Sequence, residues 1–249
     1  MNGDTAEVHH PRHWSTACRQ TLELYDACEA DGVELVLLSG NHDPYITGHR
    51  FLALAGGQIF VTHGDAFHPA IAPWSPAAAR MRKAHESALR EIEHLGRADL
   101  EACLDAARRA SHVEWTEMRH EAGRSSMRKM LVRPWLIVRV LHYWRRFPRL
   151  AATFAEEHMP LARFVVLGHT HHADIETVNG RTVINTGSYG FPGRPRGVIV
   201  DDTVLRVHPV DLQAGRYRLA SDPLETYALE PATPPAPEPG AGALRPSTA

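Results

Sequence analysis

Residues 164–171 read Phe-Val-Val-Leu-Gly-His-Thr-His, an apolar run that breaks at a glycine into two alternate histidines. Four consecutive apolar residues stopped by a glycine predict a short strand buried on both faces, as in the middle of a parallel sheet. Alternate histidines on the turn beyond such a strand carry both imidazoles past the sheet edge, and neutral imidazole is the commonest side-chain metal ligand. With 17 histidines in the chain, one close pair would carry little weight alone. The same grammar recurs, however. The apolar run 33–38 leads into Ser39-Gly40-Asn41-His42-Asp43, the run 58–62 leads into His63-Gly64-Asp65, and Asn2-Gly3-Asp4 stands near the start. Polar groups gathered at the C-terminal ends of several strands mark the ligand-binding edge of an α/β sheet.

In the order Gly-Asp, Gly-Asn-His-Asp, His-Gly-Asp, Gly-His-x-His, these segments resemble the calcineurin-like metallophosphoesterases, over about residues 1–210 apart from a long middle insert. The resemblance implies an α/β fold of two packed β-sheets flanked by helices, with a helical insert. It also implies hydrolysis of a phosphomonoester, phosphodiester or pyrophosphate bond at a dinuclear metal centre. Carried over residue by residue, Asp4 bridges the metals, Asn41, His63 and His169 complete the second, and His171 serves the first. His42 donates a proton to the leaving oxygen or stabilises phosphoryl charge, and Asp43 beside it helps keep that imidazole charged. Asp43 has an alternative role as a loop carboxylate that accepts backbone N–H groups. Asp65 reads as a partner behind His63 or a loop-former. Mixed nitrogen and oxygen donors suit Mn, Fe or Zn better than Mg or Ca.

The chain departs from the family pattern at its start. The family opens with an Asp-x-His on the first strand, whereas here Gly-Asp already stands at positions 3 and 4. The reading therefore expects the first strand and its two ligands to be missing, either because the sequence begins at an internal methionine of a longer protein or because it is a shortened homologue. His9, His10 and His13 are the nearby candidates to replace those ligands. The family's Gly-Asp-x-x-Asp also reads Gly3-Asp4-Thr5-Ala6-Glu7. The rival to an enzyme is a non-catalytic scaffold that keeps the phosphoesterase surface without a complete first metal site.

The rest of the chain organises around these motifs. One metallophosphoesterase domain is expected over 1–227, and a Pro/Ala-rich tail over 228–249 has too little apolar surface to fold. Helix 15–30 presents Leu22, Tyr25 and Cys28 or Glu29 on one face, 45–55 is a short helix or irregular crossover, and 58–62 is a strand. Residues 70–160 form two or three inserted helices, a candidate lid. Their last part, 119–149, carries nine arginines and lysines against one acid, Glu121, among many aromatics. As a helix after Pro134 it sets Arg139, His142 and Arg146 on one face and Ile137, Val140, Leu141 and Trp144 on another. Three readings apply: an amphipathic helix on the core, a lid over an anionic substrate, or an interfacial helix on anionic lipid. The layout is similar to bacterial UDP-2,3-diacylglucosamine pyrophosphatases, which brings nucleotide- or lipid-linked phosphoesters within the substrate class. Strands are expected at 173–178, 181–186, 197–201 and 203–210, with a hairpin at Asn179-Gly180, all closing the second sheet. Asn185-Thr186-Gly187-Ser188 is expected to pack beneath the Gly-His-x-His loop.

Composition narrows the setting. A net charge of −2 gives no reason to expect nucleic acid as a partner. Cys18, Cys28 and Cys103 form no C-x-x-C pattern and read as free thiols of a reducing cytoplasm, with peripheral contact at the inner membrane face through 119–149 as the further expectation. No stretch is long and apolar enough to span a bilayer.

Overall fold

The computed structural model describes residues 1–8, 11–94, 96, 99–118, 134–190 and 193–231. The tail from 232 onward, the basic segment 119–133, His9 and His10 lie outside the described residues. Helix α1 spans Pro11–Ala30. A hairpin of β1 (Phe51–Leu54) and β2 (Ile59–Thr62) follows, then helices α2 (Ala78–His94), α3 (Leu100–Met118) and α4 (Pro134–His158). After them come β3 (Phe164–Leu167), the hairpin β4 (Asp174–Val178) and β5 (Arg181–Asn185), then β6 (Arg196–Val200), β7 (Val204–Gln213), β8 (Arg216–Leu219) and β9 (Glu225–Ala228).

The strands make two sheets. The first has the order β1-β2-β3-β5-β4, and its three central strands are mutually parallel. The second is built on β7, which pairs with β6 and β9 through its first half and with β8 through its second. Period-two alternation splits the central strands between two cores. Phe60, Val165, Leu167 and Val183 face α4, where Tyr143, Phe147, Ala151, Ala152 and Ala155 are buried. Ile59, Phe164, Val166 and Ile184 face the second sheet and meet Leu205, Val207 and Leu229. The small alanines let α4 lie close on the sheet, and a side chain such as Phe147, 2% exposed, contributes about 2–3 kcal/mol by its burial.

Several expectations change. Residues 33–38, expected as a strand, are not part of either sheet. Their backbone bonds among the described residues are Val33 N to Cys28 O at 2.8 Å, Met1 N to Val36 O at 2.8 Å and Leu38 N to Met1 O at 2.9 Å, too few to make a strand. Residues 51–54, expected within a crossover, are a strand because they pair antiparallel with β2 in full register. The Asn179-Gly180 hairpin belongs to the first sheet: β5 continues the parallel set and β4 closes its edge, so only β6 onward builds the second sheet. Helix α1 buries only Ala17 among its described side chains, and Leu22 and Tyr25 are exposed. In α4 the buried stripe is Tyr143, Phe147 and Ala151, while Ile137 and Leu141 face solvent. The aromatic rings with the right phase to reach the sheet, not the most aliphatic ones, determine which side turns inward.

Candidate metal centre

Because β2, β3 and β5 run parallel, their C-terminal ends lie side by side, and each releases a polar segment at that edge. His63 follows β2, Gly168-His169 follows β3, and Asn185 ends β5. The segments are knitted together. Gly168 N donates to His63 O at 3.0 Å and Thr186 N to Leu167 O at 2.8 Å. Asn185 Nδ2 donates to Gly168 O at 3.0 Å and Thr170 Oγ1 at 2.7 Å, so this amide pins the histidine turn from below. Ser188 turns away and donates to Gly190 O. Asp4, His169 and His171 hold left-handed backbones at φ 51°, 64° and 59°. Such strain in non-glycine residues persists where surrounding contacts over-determine it, commonly at ligand sites.

The structure brings Asp4, Asn41, His63 and His169 together. His63 Nε2 lies 3.1 Å from Asp4 Oδ2 and 3.1 Å from Asn41 Oδ1. His169 Nδ1 lies 2.9 Å from Asn41 Oδ1 and 3.3 Å from His63 Nε2. Each ring is oriented from behind: His63 Nδ1 donates to Asn2 O and His169 Nε2 donates to Ile71 O, both at 3.1 Å. That fixes the tautomers so that the inward nitrogens point at each other, the arrangement that orients metal-binding imidazoles. Burial opposes charge on His63, but Asp4 outweighs it and raises its pKa to about 9. Burial and the His63 charge lower that of His169 to about 4. One proton on His63 Nε2 is thus surrounded by a carboxylate, an amide oxygen and a bare imidazole nitrogen. Three acceptors about one proton form a cradle with more lone pairs than a proton can use.

Four donors about 2.1 Å from one ion stand about 3.4 Å apart in a tetrahedron, and four of the six separations among these donors are 2.9–3.3 Å. Among the described residues no three His, Cys, Asp or Glu side chains are spread to grip an ion by themselves. The donors bond to one another, and the amide oxygen of Asn41 contacts both imidazoles. Metal uptake would expel the His63 proton. His171 is exposed at the rim, close enough for Asp4, His42 and His63 to act on its charge, and burial lowers its pKa. His13, the described member of the N-terminal histidine group, is exposed on α1.

His42 sits at the mouth. Its backbone N donates to Asp4 Oδ1 at 2.8 Å, and its Nδ1 meets Glu7 Oε2 at 2.8 Å. Burial opposes its charge, yet Asp4 and Glu7 prevail and raise its pKa to about 10. Burial likewise works against ionised Asp4, but His63 and His42 hold its carboxylate well below the usual range. Asp43 is fully buried, and its two oxygens accept four backbone N–H groups: Gly40 at 2.7 Å, Asp4 at 3.1 Å, Thr5 at 2.6 Å and Ala6 at 3.1 Å. It ties the Gly3-Asp4 turn to the Gly40-Asn41 turn and so sets the spacing of the two ligands. Asp65 accepts from Arg50 Nη2 at 2.8 Å in a buried pair behind His63.

Glu7, Asn2, Arg50 and the Ile71 carbonyl were not singled out from sequence. Glu7 had a signal, since it occupies the last position of the Gly-Asp-x-x-Asp pattern. The carbonyls of Asn2 and Ile71 had none, because a backbone acceptor leaves no trace in residue identity. Glu114 of α3 is a further addition. It is buried, accepts from Ser75 Oγ at 2.9 Å, and has its pKa raised first by burial. Gly40 is a sensitive point: a Cβ there would collide with the Asp4 carboxyl and backbone. Gly40→Ala is expected to displace Asp4 and lower metal affinity by about 100-fold, a loss of the size seen when ligand positioning is disturbed. Isothermal titration with Mn²⁺ reads it, and unchanged affinity would contradict this geometry.

A family model described as a calcineurin-like phosphoesterase superfamily domain matches residues 95–204. The matched stretch includes His169 and His171 and leaves Asp4, Asn41, His42 and His63 outside. Among solved structures, Vacuolar Protein Sorting 29 from Cryptosporidium parvum is 17% identical, with 32% of this chain and 44% of that one covered and a TM-score of 0.25. A single mutant of Vps29 from Entamoeba histolytica is 18% identical, with 33% and 47% covered and a TM-score of 0.23. The present chain thus spans under half the length of each. No curated protein matches the sequence significantly. Over residues 95–204, then, the chain is similar to the calcineurin-like phosphoesterase superfamily domain.

Proposed function

We propose that this protein is a metal-dependent phosphoesterase that cleaves a phosphomonoester, phosphodiester or pyrophosphate bond in a small anionic substrate. The observation that carries the reading is the acceptor cradle of Asp4, Asn41, His63 and His169 beside a charged His42. Asp4, Asn41, His63 and His169 would hold one divalent ion, Mn, Fe or Zn by their mixed donors, and His171 with Asp4 would serve a second. When bound, such ions lower the pKa of water and polarise phosphoryl oxygens. The chain supplies the rest. His42, fixed through Nδ1 by Glu7, places a positive charge where phosphoryl oxygens carry negative charge and gives a proton from Nε2 to the leaving oxygen. Asp43 keeps the two ligand turns in register, and Asn185 holds the histidine turn rigid.

The test is hydrolysis of bis(p-nitrophenyl) phosphate and p-nitrophenyl phosphate by the full chain with Mn²⁺, Fe²⁺ or Zn²⁺. Turnover with at least one of these ions, lost with a chelator and regained when the ion is restored, is the expected result. Tight metal binding with neither ester cleaved under any of the three ions would overturn the reading and favour a non-catalytic scaffold.

A further inference from the structure

Among the described residues, helix α4 is held on one side and bare on the other. Its inner side buries Tyr143 and Phe147, and Trp144 stacks flat on His172, with ring centroids 4.7 Å apart and planes at 4°. Those contacts lock the rotation of the helix. They leave Trp135, Ile137, Val138 and Leu141 outside at 57, 41, 66 and 47% exposure. Single exposed apolar side chains are ordinary, but four large ones within seven residues of one helix form a patch. Arg145, Arg146 and Arg149 are exposed on the following turns, and Arg139 is tied by its Nη2 to Pro73 O at 2.6 Å. From residue 122 to residue 155 the sequence contains no Asp or Glu.

From this patch we infer that α4 docks the protein on an anionic lipid surface. Charge decides the occupant. An apolar protein partner would need no cationic border free of acids, whereas an anionic bilayer attracts arginines at its surface and takes Trp, Ile, Val and Leu into the headgroup–acyl boundary. No helix among the described residues is long and apolar enough to cross the membrane, so the mode is one of lying on the surface. The opposite face of the same helix bears on His172 and its histidine turn, so docking would orient the candidate metal centre relative to the bilayer.

The test is co-sedimentation of the full chain with vesicles of equal parts phosphatidylglycerol and phosphatidylcholine, against vesicles of phosphatidylcholine alone. Binding to the anionic vesicles only, weakened as salt rises from about 0.05 to about 0.5 M, is expected. The double variant Val138→Asp/Leu141→Asp changes only exposed positions and should keep its melting temperature while losing roughly tenfold or more in vesicle affinity. Equal sedimentation of variant and wild type, or no sedimentation of the wild type, would overturn the inference. So would a salt-insensitive dimer in light scattering that the double variant dissociates, since the patch would then be a protein interface. None of these outcomes depends on phosphoesterase activity.

Discussion

Replacing Asp4 with asparagine is expected to leave the protein folded and to lower phosphoester hydrolysis by about a thousandfold or more. The substitution preserves shape. An amide oxygen in the Oδ1 position still accepts from His42 N, a bond now 2.8 Å long. What changes is charge and donor character at Oδ2, which lies 3.1 Å from His63 Nε2. An NH2 group there would face an N–H instead of receiving it, and the carboxylate that offsets the charge on both His63 and His42 would be gone. The ring of His42 would keep Glu7 but lose its largest charge partner, and the cradle would lose its anionic donor. Thermal unfolding should move by no more than a few degrees, while kcat for bis(p-nitrophenyl) phosphate collapses. Near-normal turnover by Asp4→Asn would show that the chemistry lies elsewhere.

Asp43→Ala should act in the opposite way, on stability first. Its carboxylate is the acceptor for four backbone N–H groups in two loops nearly forty residues apart in sequence. A hydrogen bond to a charged group contributes roughly 1.5–3 kcal/mol, and part of that is recovered when water reaches the opened loops. A net loss of about 4 kcal/mol is expected, which lowers the melting temperature by roughly 10 °C for a domain of this size. Asp43→Asn should be little better, because its NH2 group would point at N–H donors. A variant with unchanged melting temperature and lost turnover would mean that Asp43 acts on substrate and not as the tie between the ligand turns.

These two aspartates show what the sequence could and could not tell. His63 and His169 were legible because each ends an apolar run, and parallel β2 and β3 bring such ends to one edge; Asp4 and Asn41 follow glycines in segments outside the sheet, and the motif order marked them. The two possible roles of Asp43 were visible as well, but only the positions of the Asp4, Thr5 and Ala6 amides show how many donors its oxygens receive. Segment 33–38 looked like a strand because its composition is that of one. Pairing is a property of neighbours, however, and its described backbone partners are too few for a ladder. The side of α4 that turns inward was left open by the sequence for a related reason. Ile137, Leu141 and Trp144 outrank Tyr143 in apolar character, yet Tyr143 and Phe147 have the phase that reaches Phe67, His169 and the sheet. Burial there follows from what the helix meets, which its own periodicity does not record.

The central claim is that four side chains from separate segments form a cation cradle, and metal content tests it most directly. Elemental analysis of the full chain after equilibration with Mn²⁺ and Zn²⁺ and gel filtration should return one tightly held equivalent, with a weaker second allowed by His171. The same procedure on His63→Ala should return none above background. Wild-type protein that emerges without metal, or His63→Ala that retains a full equivalent, would contradict the account.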